Sequence, residues 1–101
     1  MKRLSNRQEQ VMAILWKYGP MTISKIVPII DSNLHYNTIS TVVRELDKLG
    51  YITHNEEFRP YLYYPIISKD DYLKELFDSI LKRFFYGNKE NLIKNIINNF
   101  N

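Results

Sequence analysis

Apolar residues recur along this chain with a helical period in five stretches and with a strand period in one. In the third, Ile39, Val42, Val43, Leu46 and Leu49 stand at i, i+3, i+4, i+7 and i+10, predicting a helix over 35–49 with one buried face. Upstream, Ser5-Asn6-Arg7-Gln8 reads as a capping box. Val11, Met12, Leu15 and Trp16, with Ile14 on a flank, then form a stripe that stops at Gly19-Pro20, giving a helix from Asn6 to Tyr18. A second, short helix with Thr22 as N-cap carries Ile23, Ile26, Val27, Ile29 and Ile30. Pro28 lies inside it, and an interior proline costs roughly 3 kcal/mol in a regular helix, so distortion is expected near its end. Asp31-Ser32-Asn33-Leu34 is turn chemistry, and Gly50 stops the third helix.

After Gly50 the period changes to alternation. Residues 51–55 and 61–66 are aromatic and β-branched, and they flank a turn at Glu56-Glu57-Phe58-Arg59-Pro60, so a hairpin is expected. Three helices followed by a hairpin is the order of a winged helix-turn-helix domain, assigned to residues 1–67. Residues 68–101 return to a helical period. Ser68 is an N-cap with Asp70 and Asp71 in the first turn, followed by Leu73, Leu76, Phe77, Ile80, Leu81, Phe84 and Phe85. After Tyr86-Gly87, Asn88 caps a last helix whose apolar face is Leu92, Ile93, Ile96 and Ile97. Such a stripe either folds back on the first domain or meets a second copy of the chain. The expectation is the second copy: a C-terminal helical dimerisation arm on a fold that is mainly α with a small β-hairpin.

Composition changes this picture in few places. The 101 residues, 45% of them hydrophobic, suffice for one small domain plus an arm. Net charge is +3, spread as eight Lys and Arg against six Asp and Glu up to Ile66 and six against five beyond. Any affinity for a polyanion must therefore come from where cations are placed. Cysteine is absent, which removes disulfides, thiolate catalysis and thiolate metal sites. No apolar run has membrane-span length and Met1-Lys2-Arg3-Leu4-Ser5 is no signal-peptide core, so the cytoplasm is the expected location.

The candidate chemistry lies on the outer face of helix 35–49. It carries Asn37, Ser40, Thr41, Arg44 and Lys48, with Glu45 and Asp47 off the Asn37, Thr41, Arg44, Lys48 line. Arg and Asn there suit bidentate base contacts in a major groove, although the solvated side of any amphipathic helix has a similar composition. Arg3 and Arg7, near the start of the first helix, are candidates for phosphate. His35 and His54 have no metal-ligand spacing around them and read as capping or surface histidines. No glycine-rich phosphate loop is present, and Glu56-Glu57 and Asp70-Asp71 read as solvated pairs. No metal, cofactor or catalytic residue is expected.

Residues 4–26, with Glu9, Val11-Met12, Ile14-Leu15-Trp16, Gly19-Pro20 and Thr22-Ile23, resemble the first two helices of the penicillinase-repressor family of bacterial regulators. Residues 36–52 resemble its recognition helix and wing entry, and Tyr61-Leu62-Tyr63-Tyr64-Pro65 its second wing strand. The resemblance implies a homodimeric repressor on a palindromic double-stranded operator, released when a membrane sensor-protease partner triggers cleavage in the arm. It implies that Asn37, Thr38, Ser40, Thr41 and Arg44 face the major groove and that Arg59 sits in the wing. Three features depart from the family. The cysteine cluster of its copper-responsive branch is missing. The wing carries Asn55, Glu56 and Glu57 with only Arg59, so wing-to-phosphate contact is expected to be weak or repulsive. The chain ends at Asn101, short of the usual arm. The alternative reading is a winged-helix module for protein interaction, with the acidic wing and tyrosine-rich strands as its surface.

Overall fold

Local caps set the helix bounds, and burial of three apolar stripes sets how the helices stand against one another. The computed structural model describes residues 3–100; positions 1, 2 and 101, at the outer limits of the two assigned domains, lie outside the described residues. The elements are α1 (Asn6–Tyr18), α2 (Ile23–Ile30), α3 (Tyr36–Lys48), β1 (Ile52–His54), β2 (Tyr63–Pro65), α4 (Lys69–Phe85) and α5 (Lys89–Asn99). Two compact units divide between Lys69 and Asp70.

At the start of α1 the Gln8 amide donates to Ser5 Oγ (3.2 Å) and the Ser5 amide to Gln8 Oε1 (2.9 Å), which closes the capping box. Its end is set by Gly19, whose amide donates to the Leu15 carbonyl from a φ of 83°, a left-handed conformation suited to glycine. α2 runs through Pro28 to Ile30, and the Asp31 amide still reaches the Val27 carbonyl at 3.0 Å. The hydrogen bond that proline cannot donate is one cost among several in an eight-residue helix; the Ile23 and Ile26 side chains remain buried.

The core of this unit joins Val11, Met12, Ile14 and Leu15 of α1, Ile23 and Ile26 of α2, and Ile39, Val43 and Leu46 of α3 to Leu4, Tyr51, Ile52 and Tyr63. Three positions of α1 and α3 depart from the sequence pattern. Ile14, expected on a flank, is buried, whereas Trp16 is half-buried and its indole Nε1 donates to the Ile67 carbonyl at 2.9 Å. Trp16 thereby ties α1 to the chain leaving the hairpin, an amphipathic use of tryptophan. Leu49, expected on the buried stripe, is 41% exposed. It caps α3, and Gly50 (φ 84°) turns the chain away before a further helical turn can reach the core.

The hairpin is antiparallel, with Ile52 opposite Pro65, Thr53 opposite Tyr64 and His54 opposite Tyr63. Its regular strands are three residues each, shorter than the alternating runs, because Tyr51 spends its amide on the Leu46 carbonyl and its own carbonyl accepts from Ile66 and Ile67. Tyr63 also exchanges both backbone hydrogen bonds with Met21 (3.0 and 2.9 Å), so the α1–α2 connection lies along the other side of β2. The architecture is a winged helix-turn-helix.

In the other unit, α4 ends where Tyr86 and Gly87 take positive φ and the Gly87 amide donates to Leu81. Asn88 then caps α5 by accepting from the Asn91 amide at 3.1 Å. Tyr72 is the only buried side chain on these two helices among the described residues. Phe77, Phe84, Ile93, Ile96, Ile97 and Phe100 are exposed. No helix of the described residues is long and apolar enough to cross a membrane.

The two α3 leucines should separate in a urea melt. Leu46→Ala, at a fully buried position, is expected to cost roughly 2–5 kcal/mol, and Leu49→Ala to stay within about 0.5 kcal/mol. Equal effects at the two positions would show that the helix packs in another rotation.

Candidate nucleic-acid interface

With Ile39, Val43 and Leu46 buried, the opposite side of α3 must face solvent, and Asn37, Thr41, Arg44 and Lys48 are all exposed there. His35 caps the helix, its Nδ1 accepting from the Asn37 amide at 3.4 Å. Two of the outer side chains are partly fixed by their own helix. Thr41 Oγ1 donates to the Asn37 carbonyl at 3.0 Å and Arg44 Nε donates to the Ser40 carbonyl at 3.4 Å. The Arg44 bond uses Nε and leaves the forked terminal nitrogens for a base edge or phosphate.

Both carboxylates that flank this face are occupied. Glu45 accepts from Gln8 Nε2 of α1 at 3.2 Å. Asp47 Oδ2 lies 2.6 Å from His54 Nδ1 on β1, in direct contact although outside hydrogen-bond geometry. Negative charge is thus drawn to the two edges of α3 and the line between them is free of it. Thr38, seven residues before Glu45, lies on the α1 side of the helix, and Ser40, seven before Asp47, on the wing side.

On the wing side lies a cleft of about 300 Å³ whose walls include Ser24 of α2, Tyr36, Ser40 and Arg44 of α3, and Arg59 and Tyr61 of the wing. Arg59 stacks over the Tyr61 ring, 4.5 Å from its centroid. Three of the residues expected from sequence, Ser40, Arg44 and Arg59, are therefore brought together. Asn37, Thr38, Thr41 and Lys48 are not among the cleft's lining residues. Arg7 is half-buried on α1 and donates to Gln10 Oε1 at 3.0 Å.

Sequence reasoning missed Ser24, Tyr36 and Tyr61, which reach the cleft from three separate elements. It also took His54 for a capping or surface side chain. Instead its ring lies 4.4 Å from that of Tyr61 and 5.2 Å from that of Tyr63, with Glu56 Oε1 3.8 Å from Nε2, and its contact with Asp47 joins this wing cluster to α3. The signal available was the His54, Tyr61, Tyr63 alternation across the hairpin. Among the described residues no group of three His, Asp or Glu side chains could hold a metal ion.

Comparison with known proteins agrees with this geometry. The family model described as penicillinase repressor matches residues 4–100. The penicillinase repressor of Bacillus licheniformis is 26% identical over 99 residues, spanning 96% of this chain and 77% of that protein. The solution structure of the DNA-binding domain of the repressor BlaI superposes with a TM-score of 0.59 at 28% identity, over 71% of this chain and 94% of that one. The monomeric form of Bacillus licheniformis BlaI in complex with the blaP half-operator gives 0.58 at 27% identity, over 70% and 89%.

The wing anchor has one titrating member with a clear shift. Burial pushes the Tyr63 phenol above its usual 10.0, and the charge of Asp47 adds to this. An acid whose folded pKa is raised contributes stability that is present below the unfolded value and is lost as pH climbs through the folded one. Urea midpoints at about pH 8 and pH 11 should therefore fall more for the wild type than for Tyr63→Phe. Equal falls would remove Tyr63 from the alkaline transition.

Proposed function

The chain belongs to the penicillinase repressor family, and we propose that it acts as a homodimer reading a palindromic operator with α3 of each protomer in the major groove. The family comprises DNA-binding transcriptional repressors, not enzymes, and the protein is such a repressor, of the kind that regulates antibiotic resistance. The observation that carries the finer reading is the carboxylate-free line Asn37, Thr41, Arg44, Lys48, bounded by acids already engaged with Gln8 and His54. On this reading Arg44 and Asn37 contact base edges, Thr41 between them and Ser40 and Thr38 at the flanks make shorter contacts, and Lys48, Arg7 and Arg59 meet phosphates. A BlaI monomer bound to a half-operator is the structural relative that supports this placement.

Dimerisation is assigned to α4 and α5. Leu73, Leu76, Phe77, Ile80, Leu81, Phe84, Phe85, Leu92, Ile93, Ile96 and Ile97 are all half-buried or exposed within their own unit. That much uncovered apolar surface is what a self-complementary interface uses, and a two-fold axis matches a palindrome. The cytoplasm is the compartment of such a protein, and a membrane sensor-protease system is the partner that would inactivate the arm.

A second reading has its own observation. Phe58, Leu62, Tyr64 and Ile66 are exposed on the hairpin beside Glu56 and Glu57, a surface suited to docking another protein. Gel retardation with operator-like fragments at low salt separates the two: an intact dimer that retards no DNA would favour protein docking.

Arg44→Ala is expected to weaken operator binding by roughly 1–3 kcal/mol and to relax sequence preference, whereas Lys48→Ala should weaken all sequences alike and reduce the salt slope by about one. Unchanged affinity and preference for Arg44→Ala would displace α3 as the reading element. Phe77 is half exposed and lies outside the winged-helix unit, so Phe77→Glu should leave that unit of each protomer folded. Sedimentation should show a monomer at micromolar concentration, with operator affinity about 100-fold or more lower. A wild-type monomer under those conditions would end the dimer proposal.

A further inference from the structure

Arg44 and Arg59 come from distant parts of the chain, yet both line the cleft between α2, α3 and the wing. Both are exposed, and like charges brought to one cleft repel unless an anion lies between them. Neither guanidinium has a carboxylate partner among the described residues; Arg44 is held by the Ser40 carbonyl and Arg59 by the Tyr61 ring. No Asp or Glu lines the cleft, and of the wing's acids Glu56 has its carboxylate near His54. The remaining walls carry hydroxyls, from Ser24, Ser40, Tyr36 and Tyr61.

We propose that this cleft is a binding site for a phosphate group, held between the Arg44 and Arg59 guanidiniums. Paired planar forks with surrounding hydroxyl donors are the side-chain set that recognises a tetrahedral dianion or diester. A volume of about 300 Å³ exceeds what a bare phosphate fills and reaches the lower range of small-ligand pockets, and the Tyr36 and Tyr61 walls suit a ring attached to the phosphate. The group is supplied either by a free phosphorylated small molecule or by the operator backbone. Arg44 serves both the cleft and the reading face of α3, so a free phosphate ester seated there competes with DNA and gives the repressor a ligand-sensitive contact. This regulatory consequence rests on the DNA-binding reading; the phosphate site does not.

The test uses the full chain in three forms: wild type, Arg59→Gln, and Arg83→Gln as a control of equal charge change on α4. Amide NMR spectra are recorded on addition of sodium phosphate or adenosine monophosphate, against sodium chloride at equal ionic strength. Shifts confined to residues around Ser24, Ser40 and Tyr61, about tenfold weaker in Arg59→Gln and unchanged in Arg83→Gln, identify a free-phosphate site. In a parallel titration with operator-like DNA, a uniform affinity loss and a salt slope reduced by about one in Arg59→Gln alone identify a backbone phosphate as the occupant. Phosphate acting no differently from chloride, together with unaltered DNA binding by Arg59→Gln, overturns the site while leaving repressor function intact. Phosphate binding by a wild type that retards no operator DNA upholds the site and removes the competition.

Discussion

The rotation of α3 about its own axis is the constraint on which the rest of this protein depends. Ile39, Val43 and Leu46 are each fully buried, and burial of such side chains contributes roughly 1.5–3 kcal/mol apiece, an upper range because the unfolded chain is already partly compact. Turning the helix by one residue would bring Glu45 or Asp47 towards the place of Leu46 and bury an ion, at a cost of several kcal/mol. The rotation is thus held by an apolar gain on one side and an electrostatic penalty on the other. Gln8 and His54, on the two flanks, act on a helix already oriented and hold its edges. Composition of the outer face is ambiguous by itself, since a solvated helix uses the same residues. Its orientation between α1 and the wing is what makes the line Asn37, Thr41, Arg44, Lys48 an accessible ridge.

Local physics made part of this visible in the sequence. The capping box at Ser5 and Gln8 and the glycine at position 19 place α1 at the bounds expected, since each acts through neighbours within four residues. The stripe of α3 likewise places Ile39, Val43 and Leu46 inside. Failures occur where a distant segment decides. Trp16 and Ile14 exchange roles because the Ile67 carbonyl, 51 residues on, offers the indole a partner. Leu49 leaves the core because Gly50 turns towards a hairpin whose position no local pattern records. The pairing of Met21 with Tyr63 fixes the α1–α2 connection beside β2, and Met21 itself carries no strand signal. The cleft was invisible for the same reason. Arg44 and Arg59 appeared as separate candidates, and only their meeting with Ser24 and Tyr61 gives them joint chemistry.

The arm poses the opposite problem. Its helices are locally well specified, with acids opening α4, Lys82 paired to Asp78 at 2.9 Å, and Asn88 capping α5, yet almost nothing on them is buried. Helices of 17 and 11 residues are marginal by themselves in water and need packing to persist. A winged helix closes its own core, whereas the arm's apolar face is complete only against something else. In the proposed dimer a second copy would answer that need and supply the two-fold symmetry that the proposed operator requires.

Charge placement, rather than total charge, then decides how such a protein can hold DNA. A net +3 on 101 residues is small, and counterion release gives a salt slope of only about −0.9 per neutralised phosphate. By composition the wing is acidic, which alone would subtract from even this. In the structure its charges are segregated. Glu56 sits towards His54 and away from the cleft lining, while Arg59 lies over Tyr61 and lines the cleft with Arg44. The edge of the wing that meets the cleft carries Arg59 and no acid. A few well-placed cations still give one protomer only modest affinity. Joining two such protomers makes the second binding event intramolecular, at an effective concentration in the millimolar range for short connections. In the proposed dimer, specificity resides in α3 and most of the usable affinity in the arm, so loss of the arm's contacts would release DNA without altering a single residue that touches it.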